Sequence, residues 1–406
     1  MTNTRDNQTK ALLPPGLTGL IIALMVAGMG LFVWQLAAGN TLKAWQSYLV
    51  NYLLFAAIAH GAVLFSTLMH TVNARWGGPL ADLAEAFTAF FPVSLGLFLL
   101  MLFSRGAIFP WLHHDLEGKQ VWLNLPFLFT RDILALLILY ALGFAYLYYS
   151  LYFKLKERGA SSQLALWLMR RWEAAPPDEE RFGKRRTVFA GLYMLAFAVV
   201  LSLLGFDLVM SADPHWYSTL FGAYSFVKSV FVGFGGLIIV AAVLHLSPRN
   251  EFRVQASQFH DIGKLFFAFC LVWADFFYVQ LVVIWYGNIP EETAYVIERT
   301  MTAPWRGLAW GVFAVCFIGP FLILLNRKIK TMPAAMIVIC SVVIVGMWLE
   351  HFLLLGPAFY PNAHRLPLSW VDAGVALGFI GFMAAALAYY LEQFPELLQG
   401  RGEEGR

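Results

Sequence analysis

The sequence predicts an all-α integral membrane protein: ten transmembrane helices forming two four-helix bundles (spans 2–5 and 6–9), flanked by spans 1 and 10. Three observations lead there. Of 406 residues, 60% are hydrophobic and only 13% charged, against about 25% charged in soluble proteins. The apolar residues gather into ten runs near the length of about 20 residues that crosses a bilayer. Lys and Arg crowd into alternate loops, as the positive-inside rule requires.

The runs fall at 17–37, 46–71, 86–104, 128–153, 187–211, 217–246, 261–286, 305–326, 332–355 and 368–391. Segment 1–16 is polar and lacks a small-residue cleavage site, so it reads as a tail rather than a signal peptide. Residues 17–153 then carry spans 1–4, and 154–186 form a basic loop. Residues 187–391 carry spans 5–10, and 392–406 form a second tail. The loop holds nine Lys and Arg residues, from Lys154 to Arg186. Arg249 and Arg253 follow span 6, and Arg327, Lys328 and Lys330 follow span 8. These loops belong on one side with both termini, which predicts a multi-pass protein of a bacterial inner membrane with cytoplasmic termini. The turn "SADPHW" then faces the periplasm. Within the basic loop, "SSQLALWLMRRW" is amphipathic, as a helix lying on a membrane surface would be. "PPDEE" breaks it.

The two bundles are suggested by a faint repeat. His70 closes span 2 fifteen residues before Glu85 opens span 3, and His245 and His260 repeat that spacing around spans 6 and 7.

Several chemistries are disfavoured. Cys270, Cys316 and Cys340 are isolated within apolar runs, which argues against iron–sulfur, c-type haem and structural zinc sites in this chain. His60 and His70 lie about 80° apart around a helix, so they do not stack for bis-histidine haem ligation. No phosphate loop, dinucleotide fingerprint or nucleophile elbow is present, and nothing points to nucleic acid.

The informative residues are polar groups at depth, where a charge costs about 2.5–3.5 kcal/mol on insertion scales. His60, mid-span 2, suits a quinone carbonyl, a proton relay or a plain helix–helix hydrogen bond. In span 7, Lys264 and Asp275 differ by about 20° around the axis and Asp261 lies about 40° from Asp275. The three form one stripe from the inner end to mid-membrane, either a proton half-channel or an ion-pair seam. Lys228 in span 6 needs a partner, and Asp275 and Asp207 are nearest in depth. Asp207, Asp213 and His215 cluster at the outer end, where Glu350 and His351 of span 9 are placed to join them in one polar pocket. Asp213 also has the character of a helix cap. Asp372 reads as the start of span 10.

"MSADPHWYSTLFGAYSF", "HDIGKLFFAF" and "IWYGNIPEET" together resemble the second quinone-type membrane subunit of bacterial alternative complex III, a quinol:cytochrome c oxidoreductase. That subunit is of the NrfD-like, polysulfide reductase membrane subunit family. The likeness covers spans 2–9. It implies two four-helix bundles, a homologous NrfD-like membrane partner, and periplasmic iron–sulfur and multihaem cytochrome c subunits that carry the electrons. It implies no covalently bound cofactor in this chain, with menaquinone or ubiquinone as the ligand class. Quinol oxidation falls to the sister subunit, and a proton path to this one. The matching motifs place Asp207, Asp213, His215, His260, Asp261 and Lys264 near that path. Asp275 and His351 depart from the family pattern, which expects an aromatic residue and an arginine. A secondary transporter and a ligand-free scaffold subunit are the competing readings. "GFGG" in span 6 is the main hint of the broken helices that transporters use.

Overall fold

The computed structural model describes residues 15–398 except 105, 115 and 117; the expected tails fall mostly outside these. Among the described residues there is no strand. Ten helices are long and apolar enough to cross a membrane: Gly16–Ala37 (span 1), Thr41–Thr71 (span 2), Arg75–Ser104 (span 3), Leu125–Arg158 (span 4) and Glu179–Ala212 (span 5). Leu220–Leu246 (span 6), Ala256–Gly287 (span 7), Trp305–Leu324 (span 8), Pro333–Phe359 (span 9) and Trp370–Gln393 (span 10) complete the set. All ten expected spans are present.

Local chemistry sets their ends. The Asn124 side chain accepts from the Phe127 amide at 3.0 Å and starts span 4, and Asp178 caps span 5 by accepting from the amides of Glu180 and Arg181. Ser369 and Asp372 form a reciprocal capping box at the start of span 10, so Asp372 is a helix-start residue as expected. Spans 4 and 5 run into the basic loop from both sides. What remains between them is dominated by the helix Gln163–Ala174, capped by Ser162. A further helix, Pro290–Thr300, crosses between spans 7 and 8.

Span 8 contains one π-helical segment, Ala314–Ile318, just before Pro320. Proline has no N–H to offer the carbonyl four residues earlier, and that carbonyl, on Cys316, accepts from the Cys270 thiol at 3.3 Å instead. The freed group thus ties span 8 to span 7.

Spans 2–5 pack into one four-helix bundle and spans 6–9 into the other, with spans 2 and 6 as the seam between them. At the seam the two backbones touch: a Cβ added to Gly61 would lie 2.0 Å from the Ser229 carbonyl oxygen, and one on Gly233 would lie 2.4 Å from the Gly61 backbone. Small residues permit such approach where apolar lipid offers no other drive to associate. Spans 1 and 10 pair with each other at Gly28 and Gly378 in the same manner. Together they lean on spans 2 and 3 of the first bundle.

Replacing Gly61 by Leu is expected to force this seam apart at a cost of about 1–3 kcal/mol, lowering the thermal midpoint of the purified protein. Gly191→Leu, where an added side chain meets nothing within 4 Å, is expected to leave the midpoint unchanged in the same melting assay.

Candidate functional site

The first bundle encloses a buried stripe of polar groups presented mainly by span 4. Counting from one end, Asp132, Leu136, Tyr140, Gly143, Tyr146, Ser150 and Lys154 recur every three or four residues and are all buried. This is the period that keeps residues on one helix face. From Asp132 to Lys154 the stripe is about 33 Å long at 1.5 Å per residue, close to the hydrocarbon thickness of about 30 Å.

At the Lys/Arg-rich end of the bundle, the Lys154 ammonium lies 2.7 Å from both Asp82 and Glu85, and Arg158 pairs with Asp82 at 2.6 Å. Glu85 also accepts from the hydroxyls of Ser150 at 2.6 Å and Ser66 at 3.0 Å. The Tyr146 hydroxyl lies 3.0 Å from that of Ser66. Two acids thus meet two bases, and the carboxylate of the fully buried Glu85 is satisfied by three donors. A cavity of about 290 Å³ lined by His70, Arg75, Asp82, Lys154 and Arg186 opens onto this cluster.

Midway, the His60 ring forms a triangular cluster with Tyr140, at 5.4 Å, and Phe91, at 4.9 Å, whose own rings lie 4.9 Å apart. Both its nitrogens are buried without a hydrogen-bond partner. Tyr140 donates to the Ser94 hydroxyl at 3.0 Å. The Tyr52 hydroxyl is buried nearby, close to those of Ser94 and Tyr140.

At the far end, Arg131 grips Asp207 with two hydrogen bonds of 2.6 Å, and the Trp122 indole donates to Asp207 at 3.0 Å. The guanidinium also lies 4.0 Å from the Trp122 ring centre, a cation–π contact that holds it in place. Asp132 is fully buried beside Asp207, its carboxyl close enough to share a hydrogen bond with that neighbour and bound by no other side chain among the described residues. Two carboxyl groups therefore share one guanidinium.

The second bundle holds a different network. Lys228 pairs with Glu350 at 2.9 Å, and both are buried. Glu350 also accepts from the Tyr224 hydroxyl and, at 3.2 Å, from the Trp273 indole. The neighbouring His351 Nδ1–H donates to the Met347 carbonyl at 2.8 Å. The same bundle also buries Phe266, Cys270, Cys316 and Met336.

The single outer pocket expected from the sequence is instead three separate clusters. Asp207 belongs to Arg131. Among the described residues the Asp213 side chain caps no helix that follows it, and it faces Arg299, on the helix Pro290–Thr300, at 3.6 Å. Burial pushes the nearby Glu298 carboxyl above its usual range, against the pull of Arg299. Glu350 is the partner of Lys228, rather than Asp207 or Asp275. His215 is exposed, its ring 5.9 Å from that of His114.

Span 7 corrects a second expectation. Asp261, Lys264 and Asp275 do share a face, but that face turns away from the bundle interior. Phe259, Ile262, Phe266, Cys270 and Trp273 occupy the buried side. Asp261 pairs with Lys264 at 2.8 Å and lies 3.7 Å from His260, while Lys264 remains 54% exposed. Asp275 lines an outward-facing cleft. No half-channel runs up span 7 inside the bundle.

Asp82, Glu85, Arg131, Asp132, Lys154 and Arg158 were not marked as site residues by the sequence. The three-to-four spacing along span 4 is a signal for Asp132, Lys154 and Arg158, and the three-residue spacing of Asp82 and Glu85 puts those two on one face of span 3. Neither a scan against protein-family models nor a search among curated proteins returns a match to this chain.

Removing one member of the Lys228–Glu350 pair strands the other, and breaking a buried pair costs about 3–5 kcal/mol. Glu350→Leu alone is thus expected to destabilise strongly. Combining it with Lys228→Met is expected to restore much of the loss in a double-mutant cycle read by thermal unfolding in detergent. Additive losses would mean the pair does not interact.

Proposed function

We propose that this chain is a membrane subunit of a quinol-oxidising respiratory assembly resembling alternative complex III, and that the interior of its first bundle carries protons across the bilayer. The observation that carries this reading is the span 4 stripe. Ionisable and hydroxylic groups on one buried face extend from Asp132 to Lys154, with His60 stacked at its middle. Buried ionisable groups of this kind mark ion and proton routes in membrane proteins.

In this reading the basic loops face the cytoplasm of a bacterium and the Arg131–Asp207 cluster faces the periplasm. Protons enter through the 290 Å³ mouth at His70 and Asp82 and meet Glu85, whose hydrogen bonds to Ser66 and Ser150 lead to Tyr146. His60 can take a proton on one ring nitrogen and release it from the other. Its ring stacks directly on Tyr140. Asp132, with no cation of its own, is the acceptor next to the Arg131–Asp207 pair. Electrons travel elsewhere, through the iron–sulfur and multihaem cytochrome c partners, and a homologous NrfD-like subunit lies alongside in the membrane. Quinol oxidation on the periplasmic side changes the local field, and the carboxyl pair Asp132 and Asp207 responds by taking up or releasing a proton.

The transporter reading loses its main support. Span 6 is one continuous helix, and the glycines of its "GFGG" motif are packing positions, Gly233 and Gly236 against span 2 and Gly235 against Phe266 and Ile344, instead of breaks at mid-membrane.

Purification through a tag on this chain is expected to bring down haem-bearing partners with quinol-dependent cytochrome reduction. In that assembly, reconstituted in liposomes, Glu85→Gln and His60→Phe are each expected to lower proton-coupled turnover about tenfold, a barrier increase of about 1.4 kcal/mol. Asp261→Asn is expected to match the parent. A colourless, solitary protein, or normal proton-to-electron stoichiometry in both variants, would refute the reading.

A further inference from the structure

The outward face of spans 7 and 8 holds a cleft of about 810 Å³, within the range of small-molecule sites. Its walls include Tyr278, Trp310, Phe313 and Phe317, and its charged members are Asp275 and Arg306. Among the described residues neither of these two side chains makes an ion pair or hydrogen bond within the chain. Arg306 stands at the second position of span 8, and Phe317 lies eleven residues further along, so the cleft extends about 17 Å along that helix. Asp275 lies near the middle of span 7, twelve residues and about 18 Å from its end.

A carboxylate at that depth on a lipid-facing wall is costly unless a donor meets it. Lipid acyl chains offer none. The chemistry that satisfies it is a flat ring bearing hydroxyl donors on a long apolar tail.

We propose that this cleft binds a membrane quinol, with a phenolic hydroxyl donating to Asp275, the ring among the aromatic side chains, and the tail passing out between spans 7 and 8 into the bilayer. This rests on the reading of a quinol-oxidising assembly and adds a quinol site within this chain, in its second bundle.

The cleft is also joined to the buried pair behind it. Phe277, Leu281 and Thr300 line both this cleft and a smaller cavity of about 60 Å³ that reaches Tyr224 and Gln280. The Phe277 ring stacks 6.3 Å from Trp273, whose indole donates to Glu350. Two aromatic rings in series, Phe277 and Trp273, therefore link the cleft wall to the Lys228–Glu350 pair.

The test uses the assembly purified through this chain and a photoreactive azidoquinone, with labelled peptides mapped by mass spectrometry. Label is expected on peptides of spans 7 and 8 and to disappear with excess unlabelled short-tailed quinone. The near-isosteric Asp275→Asn is expected to lower it at least fivefold, and Ala309→Trp, which fills the cleft, to abolish it, with the haem spectrum of the assembly unchanged in both. Absence of label in these spans, label indifferent to both substitutions, or a phospholipid recovered from the cleft in place of quinone would overturn the proposal. Failure of the proton route would not produce any of these results, since Glu85→Gln leaves the cleft intact and its label should persist.

Discussion

Spans 2 and 6 cross with their backbones in contact at Gly61 and Gly233, and the placement of every polar group follows from that crossing. Each bundle is built on one of these two helices, and any side chain at either glycine would occupy the other helix's backbone. Because the seam is closed by main chain, the two bundles cannot share a polar interior there. Each must satisfy its own buried charges. The first does so with Asp82, Glu85, Lys154 and Arg158 at one end and Asp132, Asp207 and Arg131 at the other. The second does so with the pair Lys228–Glu350 and its Tyr224 and Trp273 donors.

This division separates two kinds of buried electrostatics. A paired and fully donated carboxylate such as Glu350 is held in place by the cost of breaking any one contact. The first bundle differs in having groups left over: a histidine on span 2 with two unpartnered nitrogens and a second carboxyl, Asp132, on span 4 beside Asp207. Unused hydrogen-bonding capacity inside one bundle is what a proton needs in order to move, whereas a saturated network needs only to persist.

The architecture was legible in the sequence because hydropathy and loop charge report it directly. All ten runs became helices, and the differences are confined to their ends, such as spans 4 and 5 reaching into the basic loop. The site was legible only in part. The angular relation of Asp261, Lys264 and Asp275 was correct, but periodicity says which residues share a face and not which way that face turns. Bulky Phe266 and Trp273 on the opposite side settled it. Lys154 and Arg158 counted as loop charges, although they lie within span 4 and turn inward to Asp82 and Glu85. Lys228 found Glu350 because span 9 packs directly on span 6, a neighbour relation that depth alone does not supply.

The most direct measurement of the central claim is the infrared difference spectrum of the intact assembly between its oxidised and quinol-reduced states. If the first bundle moves protons, a carboxyl band should appear or vanish on reduction and be missing from the Glu85→Gln variant. A spectrum unaltered by that substitution would place proton movement outside this bundle and contradict the account.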